Sequence, residues 1–280
     1  MKKLFFCLAL LFPAVLIKAQ RLYLTTFAGI SNYQGDLQAK KFTFEQAHFA
    51  GGIGLAYQIT DQLYGTASFK IGKLSGDDKI ASKNSLRNLK FSSPLTEVQL
   101  GLEYDLLNLN EQDLTPYIFG GVAVFHFNPS TIDTAGNTIY LQPLGTEGQG
   151  FFNGRTKYNL TQFSVPFGGG IKLALNENIR VSFEIGFRKT FTDYIDDVST
   201  NYVDQALLLA NNGQRAVELA FRGDELKPRL GYPAAGARRG NPSSNDWYYF
   251  SGLAISFRLG AYQGGGNGGK SRTGCPVNVY

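Results

Sequence analysis

The sequence predicts an all-β fold, an eight-stranded antiparallel up-and-down transmembrane β-barrel with long extracellular loops. Three observations predict it. Eight segments alternate apolar and polar residues with a period of two, the pattern of strands with two unlike faces. The connections between these segments are alternately long and short, as in outer-membrane barrels. No segment after the N-terminal region is long and apolar enough for a transmembrane helix, so a membrane-spanning chain would have to be a barrel.

The clearest alternation runs from Ile179 to Thr192. Its odd positions are apolar except for Lys189, whereas its even positions include Arg180, Glu184 and Arg188. A soluble sandwich would bury the apolar wall, but a membrane barrel turns that wall toward lipid and encloses the charges. The alternating loop lengths favour the barrel, since a soluble all-β fold does not require them.

The predicted strands are, in chain order, Leu22–Tyr33, Ala47–Gln58, Leu63–Lys73, Leu95–Leu106, Tyr117–Phe127, Thr161–Leu175, Ile179–Thr192 and Trp247–Leu259. The facing of Tyr117–Phe127 stays open because both of its faces are apolar. Long connections follow the first, third, fifth and seventh strands, which places both termini in the periplasm and the long loops outside. The longest connection contains an Ala- and Leu-rich segment, Val203–Phe221, that could form a helix.

The two ends of the chain are predicted to lie outside the barrel domain, residues 20–260. Lys2 and Lys3 precede an uncharged run from Leu4 to Ile17, and Ala19 suits cleavage, so residues 1–19 read as a signal peptide. Its removal would lower the formal charge from +5 to +2, which gives no indication of nucleic-acid binding. Residues 261–280 are predicted to form a flexible Gly-rich periplasmic tail.

Charged residues recur on the faces that the alternation assigns to the barrel interior. An eight-stranded barrel has room inside only for its own side chains. Unpaired buried charges are strongly destabilising, so we expect these side chains to pair into a structural plug rather than to line an ion path. The predicted lumen charge network comprises Lys70, Glu97, Glu103, Lys172, Arg180, Glu184, Arg188 and Arg258.

Two features of the sequence bear on nucleotide binding and on catalysis. Residues 264–271 match the phosphate-loop expression GxxxxGK[ST], but only Arg272–Tyr280 follow, interrupted by Pro276, so the required helix is lacking and no nucleotide partner is expected. His48 and His126 fall near the outward strand ends, where some barrels are rim proteases or lipid-modifying enzymes. Packing or interfacial roles are the alternative for both histidines. No cluster has metal-ligand spacing, and no cofactor is expected.

Six segments together resemble a known family. They are Asn32–Leu37, Arg87–Phe91, Thr115–Gly121, Leu144–Gly150, Pro166–Gly170 and, most specifically, Thr192–Ser199. The sequence resembles the PorG-like outer-membrane barrels of Bacteroidota over about Tyr23 to Phe257. The resemblance implies a small non-enzymatic barrel attached to the type IX secretion machinery, with a periplasmic ring of a lipoprotein and its partner docked beneath the outer membrane. Structural roles in turns and loop caps are the alternative for the motif-loop residues Tyr33, Gly35, Asp36, Gly145, Thr146, Glu147, Gly148, Asp193, Tyr194, Asp196 and Asp197.

The sequence therefore leads to an expected outer-membrane barrel that anchors or assembles the secretion ring, with outer-membrane lipids and the ring components as partners. A rim-located lipid deacylase or protease and a passive structural barrel are the alternatives. Cys275 alone would survive signal-peptide cleavage. It would lie beyond the Gly-rich segment, where it could form an intermolecular disulfide with a partner or remain a free thiol.

Overall fold

The computed structural model describes residues 21–38, 43–81, 84–152, 154–228 and 230–260. The predicted signal peptide, the predicted tail, the phosphate-loop-like stretch and Cys275 lie outside these residues. The strands are β1 Leu22–Gln34, β2 His48–Gln58, β3 Leu63–Asp77, β4 Lys90–Asp105, β5 Leu114–Phe127, β6 Ser130–Ile132, β7 Thr138–Tyr140, β8 Thr161–Ala174, β9 Ile179–Thr190 and β10 Trp247–Leu259. The helices are α1 Asp78–Ala81, α2 Gln205–Asn212 and α3 Gln214–Ala220.

Eight of these strands form a closed antiparallel barrel. The neighbours run β3, β2, β1, β10, β9, β8, β5 and β4, and pairing of β3 with β4 closes the circle. The first and last barrel strands pair along their whole lengths, from Leu22 opposite Leu259 to Gln34 opposite Trp247. The predicted eight-stranded barrel is confirmed, and the short strands β6 and β7 form a hairpin in one of its long connections.

The period of two along each strand decides what faces in and what faces out. In β9, Arg180, Ser182 and Arg188 are buried in the lumen while Phe183 is exposed on the outside. Large apolar side chains cover the outer wall, with Leu100 58% and Phe163 68% exposed, among many others. Such a continuous apolar outer surface is what a lipid environment requires and what water penalises. None of the helices in the described residues has the length and apolarity needed to cross a membrane.

The barrel has two unlike ends. At the turn end, the strands are joined by residues 59–62, 106–113 and 175–178. At the long-loop end, the described parts of residues 35–47, 78–89, 128–160 and 191–246 make the connections. We call these four connections the cap. Their apolar core includes Leu37, Leu89, Ile195, Val198 and Leu219, which are all 5% exposed or less. The cap is therefore a packed layer on the barrel.

The structure adds detail where the sequence pattern was ambiguous. The sequence predicts strands that end at Lys73 and begin again at Leu95, but β3 and β4 continue to Asp77 and from Lys90, because polar side chains can remain in a ladder that has left the apolar belt. In β5, Tyr117 and Phe125 face the lumen and Val122 faces outward. The Ala- and Leu-rich segment forms two helices separated at Gly213, where φ is 82°.

Candidate functional site

Ion pairs fill the barrel lumen. The Nζ of Lys70 lies 2.6 Å from Oε1 of Glu184. Lys172 bridges two acids from β4, with its Nζ 2.5 Å from Glu103 and 2.7 Å from Asp105. Each of these pairs joins strands that are not hydrogen-bonded neighbours: Lys70 and Glu184 connect β3 with β9 across the barrel, and Lys172 connects β8 with β4, which are separated by β5.

Arg188 forms the most deeply buried of the lumen pairs described. Its side chain is fully buried, and its Nη2 donates to Oε1 of Glu97 at 2.9 Å and to Oε1 of Gln99 at 3.2 Å. The hydroxyl of Tyr248 donates to the other carboxylate oxygen of Glu97 at 2.7 Å. The guanidinium also lies over the ring of Phe250, 4.6 Å from its centroid. Donors therefore surround this carboxylate, so the charge is tolerated without water.

Two predicted lumen arginines differ from the expectation of carboxylate partners. Within the described residues, Arg180 donates to the hydroxyl of Tyr64 at 2.9 Å and lies 4.3 Å from the centroid of the Tyr23 ring. Arg258 donates to the hydroxyl of Tyr23 at 3.0 Å. Both arginines lie toward the turn end, where tyrosine hydroxyls and ring faces take the place of a carboxylate and Arg258 is partly exposed to solvent. The interior cavity between these groups measures about 80 Å³, room for a few water molecules rather than a continuous path.

A second charged network lies in the cap and is organised around Glu147. The Nη1 of Arg239 donates to Oε1 of Glu147 at 2.9 Å, and both side chains are almost fully buried. Glu147 also accepts the backbone N–H groups of Ser199 and Thr200, each at 2.9 Å. Nη2 of the same arginine lies 3.8 Å from Oδ2 of Asp197. One arginine therefore joins the connection 128–160 to two parts of the connection 191–246, since its Nε also donates to the carbonyl oxygen of Ala220 in α3.

The pKa values of the two acids reflect their different surroundings. Burial alone would raise the pKa of Glu147, but Arg239 and the donors of Ser199 and Thr200 outweigh burial and hold that pKa below its usual value. Burial raises the pKa of Asp197 to about 6, although Arg239 opposes the shift. The hydroxyls of Thr146 and Tyr158 donate to the two carboxylate oxygens of Asp197, at 2.6 and 2.7 Å. Asp197 also has φ of 65°, a left-handed conformation that its surroundings must enforce.

A third group centres on the hydroxyl of Tyr33. That oxygen lies 2.6 Å from Oδ2 of Asp196 and 2.9 Å from Oδ1 of Asp246, and all three side chains are buried. The remaining oxygens accept backbone donors, that of Asp246 from Ile195 and that of Asp196 from Val198, both at 2.9 Å. A phenol carries one proton, so it can donate to only one carboxylate at a time. The arrangement is best satisfied when one of the two carboxyl groups is itself protonated.

Electrostatics in this group favour protonated acids. Burial, followed by repulsion from Asp36, raises the pKa of Asp196 to about 8. Burial is also the largest cause for Asp193, whose pKa is raised to about 8, with Asp196 adding to the shift. The pKa of Asp246 is raised well above its usual value by burial and then by Asp196 and Asp193. The cap therefore holds carboxyl groups that stay neutral well above the pH at which exposed aspartates ionise.

Glycines in the motif loops are required by space and by backbone conformation. A Cβ on Gly35 would lie 2.0 Å from both the Tyr33 hydroxyl and Oδ1 of Asp246. Gly145 and Gly148 have φ of 58° and 82°, in a turn closed by the bond from the N–H of Gly148 to the carbonyl of Gly145. Motif-loop residues from different connections thus come into contact, as Tyr33 and Asp196 do although 163 positions separate them in the sequence.

Sequence reasoning missed several members of these networks. Arg239 and Asp246 were not singled out, and Arg87 was noted only within a family-like segment. Arg87 donates through Nε and Nη2 to the two carboxylate oxygens of Asp78, at 2.8 and 2.7 Å, and also bonds the carbonyl oxygen of Arg239. Such partners lie far apart in sequence, so no local pattern marks them. A weak signal existed in Asp246, a charge directly before the apolar strand β10.

A cleft of about 840 Å³ opens beside the cap networks. Asp36, Arg87, Arg238 and Trp247 are among the residues that line it. The carboxylate of Asp36 accepts the backbone N–H of Asn241 at 2.7 Å, which fixes one wall. Of the arginines that line the cleft, Arg87 pairs with Asp78 and Arg239 pairs with Glu147, whereas Nε of Arg238 donates to the carbonyl oxygen of Gly240.

The two histidines lie at the long-loop end and do not meet each other. Nε2 of His48 lies 2.8 Å from the hydroxyl oxygen of Ser75, and Nδ1 of His126 lies 3.0 Å from that of Thr161. Across the described ranges, no three side chains of the His, Cys, Asp and Glu types are arranged to hold a metal ion.

Comparison with known proteins gives a family. Residues 2–213 match the family model described as a domain of unknown function, DUF6089. The chain belongs to the DUF6089 family. The match ends between α2 and α3, so Arg239, Asp246 and β10 of this DUF6089 protein lie beyond the matched residues. Curated proteins provide no match to the sequence.

Solved structures similar to this DUF6089 protein include bacterial surface and outer-membrane proteins. Neisserial surface protein A is 10% identical, with 85% of this chain and 96% of that chain covered and a TM-score of 0.43. Ail, the attachment invasion locus protein of Yersinia pestis, is 7% identical, with 84% and 96% covered and a TM-score of 0.40. The outer membrane protein OprG from Pseudomonas aeruginosa is 10% identical, with 85% and 97% covered and a TM-score of 0.39.

Proposed function

We propose that this chain is a bacterial outer-membrane barrel that anchors or assembles a periplasmic ring of the type IX secretion machinery. The membrane part of the proposal is carried by one observation, the closed barrel whose outer wall is apolar and exposed while its charges are paired inside. A wall of this kind would aggregate in water and is stable in lipid.

The secretion part rests on the resemblance to PorG-like barrels. The segments that carry the resemblance supply the Glu147 and Tyr33 networks, which fix the cap in one arrangement. A rigid cap and a lumen filled by ion pairs suit an anchor better than a transporter. This role requires no catalysis, no cofactor and no nucleotide. The ring lipoprotein and its partner would meet the turn end, with both termini in the periplasm and the cap outside the cell.

Deletion of the gene tests the proposal. We expect substrates of type IX secretion to accumulate in the periplasm of the deletion strain, and we expect the full-length gene to restore their export. Normal secretion without the gene would overturn the secretion role. Crosslinking with mass spectrometry on intact membranes should place the ring components against residues 59–62, 106–113 or 175–178.

The cysteine beyond the described residues provides a second test. We propose that Cys275 forms a disulfide with a ring component. Non-reducing gels of wild type should then show a high-mass adduct that disappears in Cys275→Ser. Persistence of the adduct in this variant would exclude the covalent link while leaving the anchoring role open to the deletion experiment.

A further inference from the structure

A groove of about 700 Å³ opens at the long-loop end, where β2 separates from β3. The last β2–β3 pair joins Gly51 to Ile71, whereas β3 and β4 remain paired as far as Asp77 opposite Lys90. The β3–β4 hairpin therefore extends past β2. His48 begins β2 and Ser75 lies on the extended part of β3, so their side chains meet across this gap.

The contact between these two side chains brings a hydroxyl next to an imidazole nitrogen, and the same hydroxyl also lies 3.4 Å from the carbonyl oxygen of Gln46. Nε2 of His48 lies 2.8 Å from Oγ of Ser75, and both residues are partly exposed in the groove. A serine hydroxyl is a weak nucleophile unless a neighbouring base removes its proton, and imidazole is the side chain best suited to do so near neutral pH. Lys73 lines the same groove.

We propose that His48 and Ser75 form a catalytic dyad that hydrolyses acyl esters of membrane lipids. The lining of the groove suits an amphiphile, since it combines the exposed apolar residues Ile80 and Ile132 with the exposed cations Lys73 and Lys90. The acids Glu45 and Asp77 also line the groove. The groove borders the lipid-facing wall. An acyl chain could therefore approach from the membrane while an anionic headgroup meets the lysines.

The outward side chains beside the groove support this route. Phe49 is 76% exposed directly after His48, and Ile71 is 50% exposed at the last β2–β3 pair. Both belong to the apolar wall, so the dyad lies at the level where hydrocarbon gives way to headgroups. Esters of phospholipids and of acylated glycolipids share the bond that the dyad would cleave, and both can occur in the outer leaflet.

The reaction proceeds in two balanced steps. Oγ of Ser75 attacks the ester carbonyl carbon while Nε2 of His48 takes the hydroxyl proton, and the ammonium of Lys73 stabilises the oxyanion that forms. The carbon–oxygen bond to the alcohol then breaks, and that alcohol leaves with the proton from His48. A water molecule, deprotonated by His48, then attacks the acyl carbon; the bond from that carbon to Oγ of Ser75 breaks, His48 returns the proton to Oγ, and a fatty acid is released.

The second histidine provides a matched control. His126 also contacts a hydroxyl, that of Thr161, but it is exposed on the outward face of β5 and does not line the groove. The rim thus has two histidines that each lie next to a hydroxyl. Of the two, His48 lines the groove together with Lys73. Activity that depends on His48 and not on His126 distinguishes the dyad from histidine chemistry in general.

The full-length protein in detergent is tested with p-nitrophenyl palmitate, and in vesicles of phosphatidylethanolamine with or without lipid A. We expect ester hydrolysis by wild type and His126→Ala, and a loss of about a hundredfold or more in Ser75→Ala and His48→Ala. A fluorophosphonate should label wild type at Ser75, as identified by peptide mass spectrometry, and this readout does not require a variant to fold.

The two vesicle compositions identify the lipid source, since fatty acid released only when lipid A is present points to the glycolipid. Absence of hydrolysis in every arm, or equal hydrolysis by Ser75→Ala, would overturn the proposal. Labelling confined to a serine other than Ser75 would also overturn it. The secretion phenotype of a gene deletion is measured separately. A lack of ester hydrolysis would not contradict the anchoring role, and normal secretion in the deletion strain would not contradict ester hydrolysis.

Discussion

The buried pair of Glu147 and Arg239 offers the sharpest test of how the cap is held. Replacing Arg239 with Met keeps much of the side-chain length but removes the charge, leaving Glu147 buried without its cation. Loss of one partner from a buried pair costs about 3 to 5 kcal/mol. Two backbone donors and the Thr200 hydroxyl remain on Glu147, so we expect the lower value, about 3 kcal/mol.

Proteolysis of the cap measures this loss. When cleavage follows local opening, about 3 kcal/mol corresponds to cleavage of residues 191–246 about a hundredfold faster. Arg215→Met is the matched control, because Arg215 contacts Asp133 at 2.6 Å with 47% of its side chain exposed, and we expect no measurable change there. In the double variant with Glu147→Gln, the loss should be smaller than the sum of the single losses. Equal cleavage of the Arg239→Met and Arg215→Met variants would refute the reasoning.

Three further predictions concern pH, space and lipid. The pKa values of Asp193 and Asp196 are raised from 3.8 to about 8, so the folded cap binds these protons more tightly than the unfolded chain. The stability of the cap should therefore be greatest below the usual aspartate pKa and should decline as the pH rises toward 8. Hydrogen exchange of cap amides between about pH 5 and about pH 9 should show this decline, and Asp196→Asn should flatten it. Gly35→Ala should destabilise the cap by about 1 to 3 kcal/mol, because the added Cβ would lie 2.0 Å from a phenol oxygen and from a carboxylate oxygen. Gly231→Ala is the control: open space surrounds that position, so the same exchange measurement should show no change. Leu100→Arg, on the outer wall, should lower the free energy of unfolding from lipid by about 2 to 4 kcal/mol in a urea titration, and an unchanged midpoint would argue against a lipid-facing position.

The barrel was predictable from the sequence because its determinants are local. In β9 the alternation of Arg180, Phe183 and Arg188 assigns each side chain to one face without knowledge of any other strand. Strand ends were harder, since beyond the lipid the polar residues of β3 carry no alternation in hydrophobicity to mark where pairing stops.

The candidate sites depend on distant partners, which no local pattern specifies. Tyr33 and Asp246 are far apart in the chain, and the contact of Ser75 with His48 forms where the pairing of β2 with β3 has ended while β2 still pairs with β1. The family-like segments did indicate which loops matter, because their glycines and acids are needed for close packing. No comparable sequence signal marks Arg239, a single residue of the connection 191–246 that pairs with Glu147 of the connection 128–160.

The pairing of β1 with β10 has a consequence for how the protein is made. Every other pair of adjacent barrel strands is joined by one intervening connection, but this pair joins Leu22 to Leu259, so its formation closes the longest loop and has the largest loop-closure cost of the eight barrel pairs. A nascent chain that has not yet delivered Trp247–Leu259 exposes two unpaired sheet edges, on β1 and on β9, both prone to aggregation. During biogenesis β1 must therefore remain available for pairing until β10 has been delivered. A chain truncated before Trp247 should form an open sheet that is degraded by proteases rather than a smaller barrel.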